Sequence, residues 1–183
     1  LSCAAPVTPD MIKRLIDAYP KSCLAKCQRG LVPLHLWAGR ALVSYDALGV
    51  LRELLMTGPG KRAIRVADDA GRLPLHVFCR TCAAAKAATA DVDTVARDFD
   101  DEDEDGDDPE ETVLEQSWDP APACALVRVL LETYPRAWNA PSPSDGGATA
   151  MDLAPLELKE VFLEVGGASD DAVDAAMDEV RRG

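Results

Sequence analysis

The chain has 183 residues, 48% of them apolar but only 5% aromatic, and a formal charge of −13. Such a core must be built from Leu, Val, Ala and Ile, which favours helices and argues against an all-β sandwich, where Val, Ile, Thr and Tyr would be more frequent. Eleven acidic residues fall between Asp98 and Glu111 with no basic residue among them, leaving a body of about −2; no basic stripe is visible in that body, so neither nucleic acid nor an anionic membrane is the expected partner.

In chain order, the start LSCAAPVTP has neither Met nor a basic region and is expected to be an internal stretch of a longer chain. Asp10 is expected to cap a first helix, Met11 to Tyr19, that ends at Tyr19-Pro20. The frame GLVPLHLWA follows from Gly30, then an apolar helical stripe at Leu48, Leu51, Leu54 and Leu55 that stops before Pro59. A second frame, GRLPLHVFC, starts at Gly71. Its partner stripe, Leu126, Val129, Leu130 and Leu131, ends at Tyr134-Pro135. A third and more degraded frame, GATAMDLA, starts at Gly147 and puts Asp152 where His35 and His76 stand. From each proline to the next frame's glycine is ten, twelve and twelve residues. Two independent marks in one register define an internal repeat. In each unit the glycine supplies a turn with positive φ, and Pro33 and Pro74 suit the first turn of a helix, where no backbone N–H is needed. No single unit can bury its own apolar faces, so neighbours must stack.

His35 and His76 lie 41 residues apart, but His76 and Asp152 lie 76 apart. The excess falls between Cys82 and Pro122 and marks one insertion. Ala83 to Val95 is Ala-rich and suited to prolonging the helix before it, and Val113 to Pro122 is expected to return along the surface. Ser169 is expected to cap a last helix, with Asp170 and Asp171 at its positive end, Arg181 and Arg182 at its negative end, and Val173, Ala176, Met177 and Val180 buried.

The G-x-x-P-L-H frame at Gly30/Pro33/Leu34/His35 and Gly71/Pro74/Leu75/His76, each followed by a second helix with paired leucines, resembles the ankyrin repeat family in an LPLH/YP-type variant. The resemblance covers nearly the whole chain apart from the insertion. It implies an all-α helix-turn-helix solenoid with projecting arms: an N-terminal half-repeat (10–29), repeat 1 (30–70), repeat 2 (71–146, insertion about 83–121), repeat 3 (147–168) and a capping helix (169–183). It also implies a role in binding other proteins, with both histidines bonding turn backbone between units. Val32 and Leu73 depart from the family's Thr. Trp37 and Phe78 stand where a small residue is expected, which should widen the helix spacing or shift its register.

Candidate chemistry is sparse. The two histidines leave none over for a general base, and neither a nucleophile elbow nor a Gly-rich phosphate loop occurs, so no enzyme is expected and no cofactor. The six cysteines, Cys3, Cys23, Cys27, Cys79, Cys82 and Cys124, read as reduced thiols packed as small hydrophobes, which suits an intracellular protein of the cytoplasm or nucleus. Cys79-x-x-Cys82 with Cys23 and Cys27 offers a zinc alternative. Asp101, Asp103, Asp105 and Gly106 open like a calcium loop, but Thr112 occupies the twelfth position and Pro109 breaks the pattern. The expected function is a protein-interaction scaffold. Its partner would meet Lys26, Gln28 and Arg29 on the first arm and Arg65, Asp68, Asp69 and Arg72 on the second, with the acidic insert drawing a basic protein by steering. The alternatives are a metal-responsive module, or a non-catalytic targeting domain of a larger protein.

Overall fold

The computed structural model describes residues 8–44, 46–95 and 118–166. Helices dominate, and no strand occurs among the described residues. The elements are α1 (Pro9–Ala18), α2 (Pro33–Ala38), α3 (Ala47–Met56), α4 (Gly58–Ala63), α5 (Pro74–Val95), α6 (Pro120–Thr133), α7 (Ala150–Leu153) and α8 (Leu156–Gly166), with short 3₁₀ turns between several of them. The last predicted helix, from Ser169 to Arg182, and the acidic run with Asp101, Asp103 and Asp105 lie outside the described residues.

The first helix begins two residues earlier than its sequence signal. Thr8, not Asp10, is its cap: the Thr8 hydroxyl accepts from the Met11 N–H at 3.4 Å, and Asp10 sits in the first turn beside the positive helix end. Elsewhere the caps are Asp46 on the Gly49 N–H (2.8 Å), Thr57 on Gly60 (3.1 Å) and Asp119 on Ala121 (2.9 Å). The two Tyr-Pro marks have nearly the same backbone, φ −149 and ψ 80 at Tyr19, φ −144 and ψ 83 at Tyr134. Both residues close their helix with an N–H bond of 3.0 Å, to Leu15 and Leu130. Proline cannot continue the ladder, and it starts a 3₁₀ turn in both places.

The helices pack in two layers. One runs α2, α5, α7; the other runs α1, α3, α6, α8. Between them lies a single apolar core in which Leu34, Leu51, Leu75, Phe78, Leu130, Leu131, Leu158 and Phe162 are almost wholly buried. The stripe of α6 is turned slightly from its expected register, since Val127 is buried and Val129 only partly so. The two aromatics at small-residue positions solve each other's packing. Trp37 and Phe78 stack with ring centroids 5.9 Å apart and planes 12° apart, and the Trp37 indole N–H donates to the Ala47 carbonyl at 3.2 Å.

Ala83–Val95 continues α5 without a break, so the part of the expected insertion up to Val95 is helix. Lys86 on that extension pairs with Glu157 of α8 at 2.5 Å, and Arg128 of α6 makes a two-point pair with Glu164 at 3.0 and 2.7 Å. The two helices on either side of residues 96–117 are thus both tied to the last described element.

Candidate protein-interaction surface

The three glycine frames build three similar arms. In the first, the Cys27 N–H donates to Leu31 O (2.9 Å) and the Gly30 N–H to Cys27 O (3.1 Å); in the second, Asp68 to Arg72 (3.0 Å) and Gly71 to Asp68 (2.9 Å); in the third, Ser142 to Ala148 and Gly147 to Ser142, both 2.9 Å. Gly30, Gly71 and Gly147 have φ of 70, 78 and 87°, the left-handed region that an L side chain resists. A Cβ on Gly30 would stand 2.9 Å from the Asp69 backbone nitrogen, and one on Gly71 would stand 2.7 Å from Pro143 Cδ. Each arm therefore lies directly on the next. The Asp69 N–H confirms the contact by donating to Arg29 O at 3.0 Å.

The histidines fasten this stacking. Nδ1 of His35 accepts from the Val32 N–H (3.3 Å) and Nδ1 of His76 from the Leu73 N–H (3.1 Å), which leaves the proton on Nε2. That proton goes to the following arm, from His35 to Arg72 O at 2.9 Å and from His76 to Ala140 O at 2.8 Å. Burial lowers both pKa values, outweighing the help of those carbonyls, so both rings are neutral at pH 7. The rings are structural, as the frame implied.

The residues expected to meet a partner divide into three groups. Lys26, Gln28, Arg29 and Asp69 are exposed on the first two arms. Arg29, Asp69 and Arg72 come together around a shallow depression of about 300 Å³, floored by Asp68 and Ala70. Lys26 reaches across to donate to Ala67 O at 3.4 Å. Asp68 differs: its side chain is 1% exposed. One carboxylate oxygen accepts from the Ala70 and Arg72 N–H groups at 3.0 and 2.8 Å, and the other holds the Arg72 guanidinium at 2.8–2.9 Å. Burial pushes this carboxyl up, but the Arg72 bonds outweigh it and hold it below the usual range. Asp68 and Arg72 form the internal brace of the arm, which leaves Asp68 no free face for a partner. Arg65 lies apart, its guanidinium 4.9 Å above the Tyr134 ring, beside an open depression of about 450 Å³ lined also by Pro135 and Arg136.

Four further exposed cations stand just after the helix-ending prolines: Lys21, Lys61, Arg62 and Arg136. The sequence carries a signal for them, since each directly follows such a proline or stands two or three residues beyond it.

The cysteine pairs do not converge. Cys23 is buried beside the Thr57 hydroxyl, while Cys27 is exposed. Burial raises the Cys79 thiol well above its usual pKa, and burial then Cys124 push Cys82 up to about 12. These thiols stay protonated and unreactive at neutral pH. Among the described residues no three His, Cys, Asp or Glu side chains are grouped to hold a metal ion, and no described helix is long and apolar enough to cross a membrane.

No family model matches the chain, and neither a curated protein nor a solved structure matches it.

Proposed function

We propose that this chain is an ankyrin-type solenoid that binds another protein through its stacked arms and carries out no chemistry itself. One observation carries the reading: three similarly hydrogen-bonded arms are laid one on another, with the His35 and His76 bridges fixing their spacing. Such an array offers a preordered surface, so a partner need not pay to order it. Arg29 and Asp69 supply a donor and an acceptor on adjacent arms, and neither is engaged in an ion pair among the described residues. The five described cysteines are free thiols, which suits a reducing, intracellular setting.

The test is affinity capture from source lysate followed by mass spectrometry. Wild type is run beside Gln28→Ala/Asp69→Ala and beside a chain with Asp98–Glu111 replaced by a Gly/Ser linker. The arm variant should lose the specific partners and the linker variant should keep them. An arm variant that retains every partner refutes binding through the arms. Basic partners lost only from the linker variant would move the function to the acidic run.

A further inference from the structure

The chain holds 32 acidic residues against 19 Lys and Arg, yet its three connectors between outer helix and arm contain no acid. Residues 20–26 carry Lys21 and Lys26; residues 57–66 carry Lys61, Arg62 and Arg65; residues 135–141 carry Arg136. All six side chains are exposed. Arg72, Arg80, Lys86 and Arg128 each meet a carboxylate, but none of these six does among the described residues.

The fold sets the connectors side by side. The 3₁₀ turn Pro20–Leu24 packs on α4. Lys26 bonds to Ala67 O at the end of the second connector. Arg65 in turn lies over Tyr134, with Arg136 on the rim of the same 450 Å³ depression. The result is one cationic edge running from Lys21 to Arg136, although the chain as a whole is anionic. Tyr134 orients the Arg65 guanidinium without cancelling its charge.

We infer that this edge binds an acidic peptide segment of a partner protein, laid across the connectors with its carboxylates on the guanidinium and ammonium groups. The inference rests on the reading of the chain as a binding module and narrows it to one surface and one class of ligand. A short peptide fits the charge distribution better than a nucleic acid. At about 0.1 M salt the screening length is about 10 Å, so a peptide on the edge senses these cations, whereas a long polyanion also meets the acidic remainder of the chain. The aromatic face at Tyr134 is already covered by Arg65, so it offers no platform for a base.

The probe is a fluorescein-labelled oligoglutamate peptide, with binding to the full chain read by fluorescence anisotropy at about 0.1 M salt. Arg65→Gln/Arg136→Gln and Lys61→Gln/Arg62→Gln should each weaken binding about five- to tenfold, as expected for losing two surface cations. Lys13→Gln/Arg14→Gln, the same charge change on exposed positions of α1, should weaken it less than about twofold. Equal loss in the α1 variant, absence of binding by wild type, or preferential displacement by a single-stranded oligonucleotide would each overturn the inference. Gln28 and Asp69 lie outside the cationic set, so a partner that depends on them can persist when oligoglutamate fails. The two readings therefore fail separately.

Discussion

His76 and Asp152 occupy the same place, three residues into the helix that follows an arm, and both accept a hydrogen bond from the backbone N–H that opens that helix. His76 does so with Nδ1 from Leu73, Asp152 with a carboxylate oxygen from Thr149 at 2.8 Å. They differ in the second bond. The imidazole reaches the following arm at Ala140 through Nε2, whereas the same Oδ2 of Asp152 also accepts from the Thr149 hydroxyl at 2.7 Å, and that hydroxyl accepts in return from the Asp152 N–H at 3.3 Å. The first use of the position, closing its own turn, is common to all three frames. The second, fastening the next arm, belongs only to the frames that have a described arm after them. The third frame holds Thr149 where the others hold Val32 and Leu73, so the side chain that receives Asp152 is present only where it is used.

The most severe way to break this comparison is to delete both functions at once. His76→Ala leaves the buried Leu73 N–H without an acceptor and Ala140 O without its donor, and should lower stability by about 3 kcal/mol. Asp152→Ala removes only an exposed cap and should cost about 1 kcal/mol. Urea unfolding midpoints measure both. Equal losses would mean that the bridge to the next arm contributes nothing beyond the cap.

A smaller effect separates backbone strain from arm stacking. Gly147 has a positive φ, and a Cβ placed there would meet no atom within 4 Å, so Gly147→Ala carries only the conformational cost, about 1 kcal/mol. Gly71→Ala carries that cost plus the collision with Pro143, about 2–3 kcal/mol together. The difference between the two melts isolates the closeness of one arm to the next. A Gly71 variant no worse than the Gly147 variant would show that the arms can part without loss.

Much of this arrangement is legible in the sequence. Gly30, Gly71 and Gly147 announce their turns because glycine adopts the left-handed conformation at least cost, and the Tyr-Pro pairs announce helix ends because proline removes a donor. The two histidines stand in a frame whose geometry fixes their partners. What escapes is whatever depends on lateral placement. Asp68 reads as a surface acid beside Asp69, but the arm's closure turns it inward against its own Arg72, and nothing local distinguishes the two. Trp37 and Phe78 each look like an intrusion, and only stacking across 41 residues makes them a pair. The cationic edge is scattered over three short segments separated by helices, so a linear scan for a basic stripe passes over it.

The finest test of the comparison uses protons, because the two kinds of frame titrate in different ranges. Burial lowers the pKa of His35 and His76 below the unfolded value of 6.5, so the native state prefers the neutral rings. Their contribution is complete above pH 6.5 and is lost as pH falls through that value toward the native pKa, since the unfolded chain then binds more protons. Asp152 is held below its ordinary 3.8 by the Thr149 hydroxyl and N–H, so its contribution persists to about pH 4 and is lost only below it. Unfolding midpoints followed downward from neutral pH should fall first between pH 7 and 5. His35→Asn/His76→Asn should flatten that first decline, and Asp152→Asn should leave it unchanged while flattening part of the decline below pH 4. If the histidine variant keeps the full slope between pH 7 and 5, the rings are not buried neutral bridges, and the stacking of the arms must rest on backbone contacts such as Asp69 to Arg29 alone.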